Sequence, residues 1–242
     1  MQMSQFHYLP MPPAFFSFFI GLLGLLIALY VILKILGVLR HAYEYLGVSS
    51  RTAMLLLIAS LIGSAINIPI AELPNESVSG SRIIEFFGMQ YVVPTADWQG
   101  TVIAVNVGGA IIPTLMSLYL LIKRKLWVKG GMAVAIVALI VHWQANPVPG
   151  LGIAVPIFVP VMITAAVAML LSREDAAPLA YIAGSLGTLI GADLTNLDKV
   201  PGLGAPVASI GGAGTFDGIF LTSILAVLIA HLYARPRQAQ PG

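Results

Sequence analysis

Two aspartates occupy facing ends of neighbouring apolar segments. Thr188-Leu189-Ile190-Gly191-Ala192-Asp193 closes one segment and Thr215-Phe216-Asp217 opens the next, in a chain with only ten acidic residues. An ionisable group at membrane depth is costly, so it reads first as a functional residue. The carbonyls at the end of a helix disfavour charge on Asp193, whereas the N–H groups at the start of the next favour it on Asp217. Two carboxyls held in such different environments suit a proton- or cation-coupled carrier, and equally acid–base hydrolysis. Asp217 also fits a plain helix N-cap. Asn67, Asn106, His142 and Asn196 fall at the same ends of their segments and are expected to line the same polar site. His142 sits beside Trp143, which also suits a residue at the membrane interface.

Other chemistries find little support. The chain contains no cysteine, which removes disulfides, thiolate catalysis and cysteine ligands. No H-E-x-x-H spacing is present, so neither a metal nor a cofactor is expected. The glycine-rich stretch 201–214 lacks the Lys-Ser/Thr of a phosphate loop. Being apolar as well, it is expected to re-enter the bundle or line a cavity, shielded from lipid. A formal charge of +2, scattered over the connections, gives no nucleic-acid surface.

Composition dictates what must position these residues. Of 242 residues 58% are hydrophobic and 9% charged, where soluble domains carry about 25% charged residues. Mean hydropathy is +0.94. A water-soluble globule cannot hide that much apolar surface, so the lipid bilayer is the expected partner. Segments 15–36, 52–71, 101–122, 128–143, 153–171, 179–194 and 216–233 approach the length of a span, about 20 residues. The expected fold is all-α, a polytopic transmembrane bundle of seven spans in one domain, with an external loop over 72–100. Within that loop Ile83-Ile84-Glu85-Phe86-Phe87 suggests a short interfacial helix, and Asn75-Glu76-Ser77 matches a glycosylation sequon. The first segment lacks a basic flank and a small-residue cleavage site, and reads as a retained span.

Basic residues cluster at alternate connections: Arg40 and Arg51, Lys123-Arg124-Lys125, Arg173, then Arg235 and Arg237. The positive-inside rule puts the N-terminus outside, the C-terminus in the cytoplasm and both aspartates near the external face. Asp198 beside Lys199 reads as a solvated pair, and Gly184, Gly187 and Gly191 as a helix-packing stripe.

Ser60-Leu61-Ile62-Gly63-Ser64 is similar to Thr188-Leu189-Ile190-Gly191-Ala192, Leu9-Pro10-Met11-Pro12 to Asn146-Pro147-Val148-Pro149, and Asn106 opens its span as Asp217 does. These pairs suggest a 3+1+3 parallel repeat with the fourth span as linker, an arrangement known in transporters.

Residues 142–230 resemble a family of multi-pass prokaryotic membrane proteins catalogued as a domain of unknown function. The likeness rests on Pro147-Val148-Pro149-Gly150-Leu151-Gly152-Ile153, on Gly187 through Leu194, and on Gly204-Ala205-Pro206-Val207-Ala208-Ser209-Ile210-Gly211-Gly212-Ala213-Gly214 through Gly218. Asn67-Ile68-Pro69 and Asn106-Val107-Gly108-Gly109 extend it. It implies a prokaryotic cell membrane location, the inner membrane in a Gram-negative cell, and no particular activity. A looser likeness, resting on the order of Asp193 and Asp217, is to intramembrane aspartyl proteases of the presenilin and prepilin-peptidase type. It would make both residues catalytic and a membrane protein the substrate. The Gly-x-Gly-Asp motif of those enzymes is broken here, because Thr215-Phe216 separates Gly212-Ala213-Gly214 from Asp217. The leading expectation is a small-solute or ion transporter with an outward-opening polar cavity. The alternatives are the protease and a non-catalytic membrane scaffold.

Overall fold

The computed structural model describes residues 13–74, 80–86, 89–95, 100–148, 152–156, 158–203, 207–212 and 218–233. Asp217, the sequon at Asn75, Pro149 with Gly150, the segment 213–217 and the tail arginines Arg235 and Arg237 lie outside them. The chain divides into two units, Met1–Leu39 and Arg40–Gly242. The first contributes most of one long apolar helix, α1 (Pro13–Tyr45).

The second unit is mostly helical. After α1 come α2 (Ser50–Gly63), α3 (Ile112–Arg124), α4 (Trp127–Gln144), α5 (Phe158–Leu171), α6 (Ala176–Ile182) and α7 (Gly218–Tyr233). α3 is entered through a π-helical turn, Val107–Ile111, and α6 continues through two more, Ala183–Gly187 and Leu189–Asp193, into a 3-10 helix, Leu194–Leu203. Among the described residues, four continuous helical stretches are long and apolar enough to cross a membrane: Leu22–Tyr45, Val107–Arg124, Trp127–Gln144 and Ala176–Pro201. They are consistent with an integral membrane protein. α2, α5 and α7 are apolar but shorter.

The expectation of an all-helical chain gives way where apolar runs change conformation. Residues 52–71 begin as α2, but helix stops at Gly63 and β1 (Asn67–Pro74) follows. Pro69 lacks the N–H that a helix needs and suits an edge strand. Residues 101–122 open as β4 (Gly100–Asn106) before turning helical. Thr101, Val102, Ile103 and Val105 are β-branched and pack well on a pleated surface. An apolar run carries no periodicity that separates strand from buried helix. The connection 72–100 also holds an antiparallel hairpin, β2 (Gly80–Phe86) and β3 (Met89–Thr95). Strand thus replaces the short helix expected at 83–86. β5 (Asn146–Val148) and β6 (Gly152–Ala154) form a second, small hairpin before α5.

β7 (Val207–Ile210) completes a three-stranded sheet in the order β1-β4-β7. β1 runs antiparallel to β4, with Asn67 opposite Asn106 and an irregularity between Pro69 and Ala71. β7 runs parallel to β4, from Val102 opposite Val207 to Val105 opposite Ile210. The segment expected to be an apolar re-entrant loop therefore contributes a hydrogen-bonded strand. Ile103 of β4 and Ile210 of β7 form a buried cluster with Ala110, Leu189 and Ile219.

Backbones approach closely at a few glycines. A Cβ on Gly187 would come within 2.7 Å of Val137, and one on Gly191 would strike the backbone of Ala138, so both face α4. Gly184 instead meets Ser223 of α7. The stripe expected from sequence therefore serves two neighbours, because the π-turn offsets its residues around the axis. At Gly108 a Cβ would collide with the Ser60 carbonyl and the Ser64 N–H, both backbone. Gly108→Ala should cost at least the ~1–3 kcal/mol typical of overpacking, read as a lower melting temperature in detergent. Gly131→Ala, with nothing within 4 Å of the added carbon, should leave the melting temperature unchanged.

Candidate functional site

The end of α2, the start of the α3 helix, the end of the α6 helix and the tip of β7 meet at one level. At the end of α2 and the start of the α3 helix, helical hydrogen bonding stops and leaves backbone groups to be satisfied otherwise, and at Asp193 the α6 helix passes from π-helical to 3-10 bonding.

Asn106 solves this at the α3 entrance. Its Oδ1 accepts from the Gly109 N–H at 2.8 Å, so the amide orientation is set by the backbone donor. Both Nδ2 hydrogens are then used, one on the Ser64 carbonyl at 2.8 Å and one on Asn67 Oδ1 at 3.0 Å. The residue is 1% exposed. It thus caps the helix that follows while binding the C-cap residue of α2. Asn67, at an exposed position, is also approached by Ser209 Oγ at 2.6 Å. That hydroxyl lies 2.6 Å from the Gly212 carbonyl too, and its one hydrogen must choose between the two acceptors.

Asp193 ends the second π-turn of the α6 helix, partly buried. Its Oδ2 accepts from the Gly211 N–H at 2.7 Å. Gly211 has φ +94°, and a Cβ there would press against Ala110 at 2.6 Å. Only glycine offers both the left-handed backbone and the close approach. Ser209 and Gly211 lie two residues apart, so the tip of β7 joins Asp193 to the Asn67–Asn106 pair.

His142 and Asn196 form a second group on the other side of Asp193. His142 Nδ1 and Thr195 Oγ1 are hydrogen-bonded at 2.8 Å, and the same hydroxyl lies 2.9 Å from the Gly191 carbonyl. Asn196, fully buried, donates to the Gly191 and Ala192 carbonyls at 3.0 and 2.9 Å. Its Nδ2 also lies 3.4 Å from His142 Nδ1. Asn196 Oδ1 accepts from Lys199 Nζ at 2.6 Å. Lys199 therefore serves Asn196 rather than the neighbouring Asp198, and the solvated pair expected from sequence does not form.

The structure brings Asn67 and Asn106 together, and separately His142 and Asn196, with Asp193 tied to the first pair through β7. His142 Nδ1 is bonded to Thr195 Oγ1. Asp217 lies outside the described residues. Sequence reasoning missed Ser209, Gly211 and Thr195. The positive-φ pair Gly211-Gly212 following Ser209 was the one available signal. No group of three or more His, Cys, Asp or Glu residues able to hold a metal occurs among the described residues.

Asn106→Ala and Asn196→Ala should each destabilise the fold by about 1–3 kcal/mol, because buried backbone groups lose their partners. Chemical denaturation in detergent reads this directly. Asn106→Asp keeps the acceptor for Gly109 but sets a buried carboxylate oxygen against the Ser64 carbonyl and Asn67 Oδ1, and should destabilise at least as much as alanine.

No curated protein and no solved structure matches the chain. Residues 61–229 match the family described as "Protein of unknown function (DUF1614)". The matched region begins within α2 and contains Asn67, Asn106, His142, Asp193, Asn196 and Asp217. With well over half of its length inside that match, the chain belongs to the DUF1614 family of proteins of unknown function.

Proposed function

We propose that this chain is a small-solute or ion transporter of the prokaryotic cell membrane, with its polar site centred on Asp193. Asn67 and His142 would contribute polar lining, Asn106 and Asn196 would hold the helix ends that frame the site, and Asp217 would be its electrostatic partner. The reading rests on one observation: a carboxylate from a helix end, held on the Gly211 N–H, lies two residues from the Ser209 link to the Asn67–Asn106 pair. Side chains gathered where helices are interrupted are how carriers build sites at membrane depth. Irregular backbone at that depth is tolerated only when protein shields it or water fills the cavity it lines.

Seven spans belong to the same proposal. α2, α5 and α7 would complete their crossings through the adjoining strands and turns. The parallel pairing of β4 with β7 supports the 3+1+3 repeat, since each strand precedes the last apolar helix of its triplet, α3 or α7, and the two strands run in the same direction. The basic residues favour an external N-terminus, a cytoplasmic C-terminus and an outward-facing site.

In vesicles carrying the full-length protein and a pH-sensitive dye, cation gradients should drive flux that Asp193→Asn abolishes while the melting temperature holds. Unchanged flux in that variant would remove Asp193 from the site. Cleavage of a membrane substrate, lost on substitution of either Asp193 or Asp217, would replace transport with proteolysis. Loss of thermal stability alone would leave a scaffold.

A further inference from the structure

A second feature lies at the opposite ends of α2 and α3, among the basic residues. The run Lys123-Arg124-Lys125 closes α3, with Lys125 turned into the left-handed region at φ 53°. The two cations before it separate. Arg124 turns inward: its Nη1 is 3.9 Å from Asp175, and its Nη2 lies so near the Gly47 backbone that a Cβ there would be 2.6 Å away. Lys123 also approaches Gly47, but without a carboxylate among the described residues. Its Nζ bonds the Tyr119 hydroxyl at 2.7 Å, sits 5.1 Å from that ring's centre and reaches the Gly47 carbonyl at 3.4 Å. Among the described residues no carboxylate pairs with Lys123.

This uncompensated ammonium stands at the mouth of a cleft of about 470 Å³ between α2 and α3. Hydroxyls share the mouth, with Ser49 Oγ and Thr52 Oγ1 2.9 Å apart in the first turn of α2. Beyond them the walls are apolar, formed by Leu56, Ile112, Leu115 and Met116. The cleft opens sideways, since Leu115 is 60% and Tyr119 43% exposed. From Lys123 back to Ile112 the helix spans about 16 Å at 1.5 Å per residue.

We propose that this cleft binds one anionic phospholipid, with its phosphate on Lys123 and the Tyr119, Ser49 and Thr52 hydroxyls, and an acyl chain along Ile112–Met116. A free anion would leave the apolar walls unused, and a zwitterionic lipid would bring a headgroup cation against Lys123 and the neighbouring basic residues. Basic pockets between membrane helices suit acidic headgroups, and the clustered arginines and lysines put this end of the helices on the cytoplasmic side.

Native mass spectrometry of the full-length protein in detergent tests this, with phosphatidylglycerol and phosphatidylcholine of identical chains as probes. Wild type should retain phosphatidylglycerol over phosphatidylcholine by about fivefold, the effect of one basic residue near an anionic headgroup. Lys123→Ala should erase that preference, Lys123→Arg should keep it, and Met116→Trp, which fills the cleft, should reduce retention of both lipids. Equal retention of the two lipids by wild type would overturn the site. So would a preference that survives Lys123→Ala, or displacement of phosphatidylglycerol by millimolar inorganic phosphate as effectively as by excess lipid. Melting temperatures matched to wild type qualify each variant. Flux through the Asp193 site plays no part in this readout, so the two proposals fail separately.

Discussion

The polar end of the bundle depends on backbone hydrogen bonding where helices stop among apolar neighbours. A buried N–H or C=O without a partner costs as much as a lost hydrogen bond, and little water is expected beside apolar segments of this kind. Three devices meet the demand. β4 lies between β1 and β7 and pairs with both. Asn106 caps the entrance to α3 while binding the end of α2. Asn196 covers two carbonyls at the end of the α6 helix. The side chains that look most like a binding site are, in large part, the ones that let the helices end there.

This gives the polar residues a division of labour. Asn106 and Asn196 have committed their amide hydrogens and act as positioning groups. Asn67, at an exposed position, retains its Nδ2 donors, and His142 is bonded to Thr195 through Nδ1. Asp193 joins the two groups because Gly211 presents an N–H at the tip of β7. Close backbone packing keeps that tip in place, since Gly211 lies against Ala110 and Gly108 against the end of α2.

The two ends of the helices contrast in charge and shape. At one end amides, a carboxylate and a sheet form a hydrogen-bonded layer. At the other, neighbouring cations are sorted by their partners: Arg124 turns to Asp175, and Lys123 is left facing an apolar cleft.

Much of this was legible in the sequence. The apolar composition determined a helical protein suited to a membrane, the scarcity of acids singled out Asp193, and the spacing of Asn67, Asn106, His142 and Asn196 placed them near one level. The glycine stripe on the α6 helix announced close packing, though not that it would serve both α4 and α7. What sequence left undecided was where apolar runs become strand, because a continuous hydrophobic stretch satisfies either geometry. Residues 101–106 form a strand because β1 and β7 stand on either side to bond them, and those partners come from positions remote in the chain. The same holds for Ser209 and Gly211, whose roles exist only once β7 lies parallel to β4. Sequence by itself determined which residues are too polar to lie idle in an apolar protein. Tertiary structure alone decided which of them meet, since the backbone groups that bind them come from other segments of the chain.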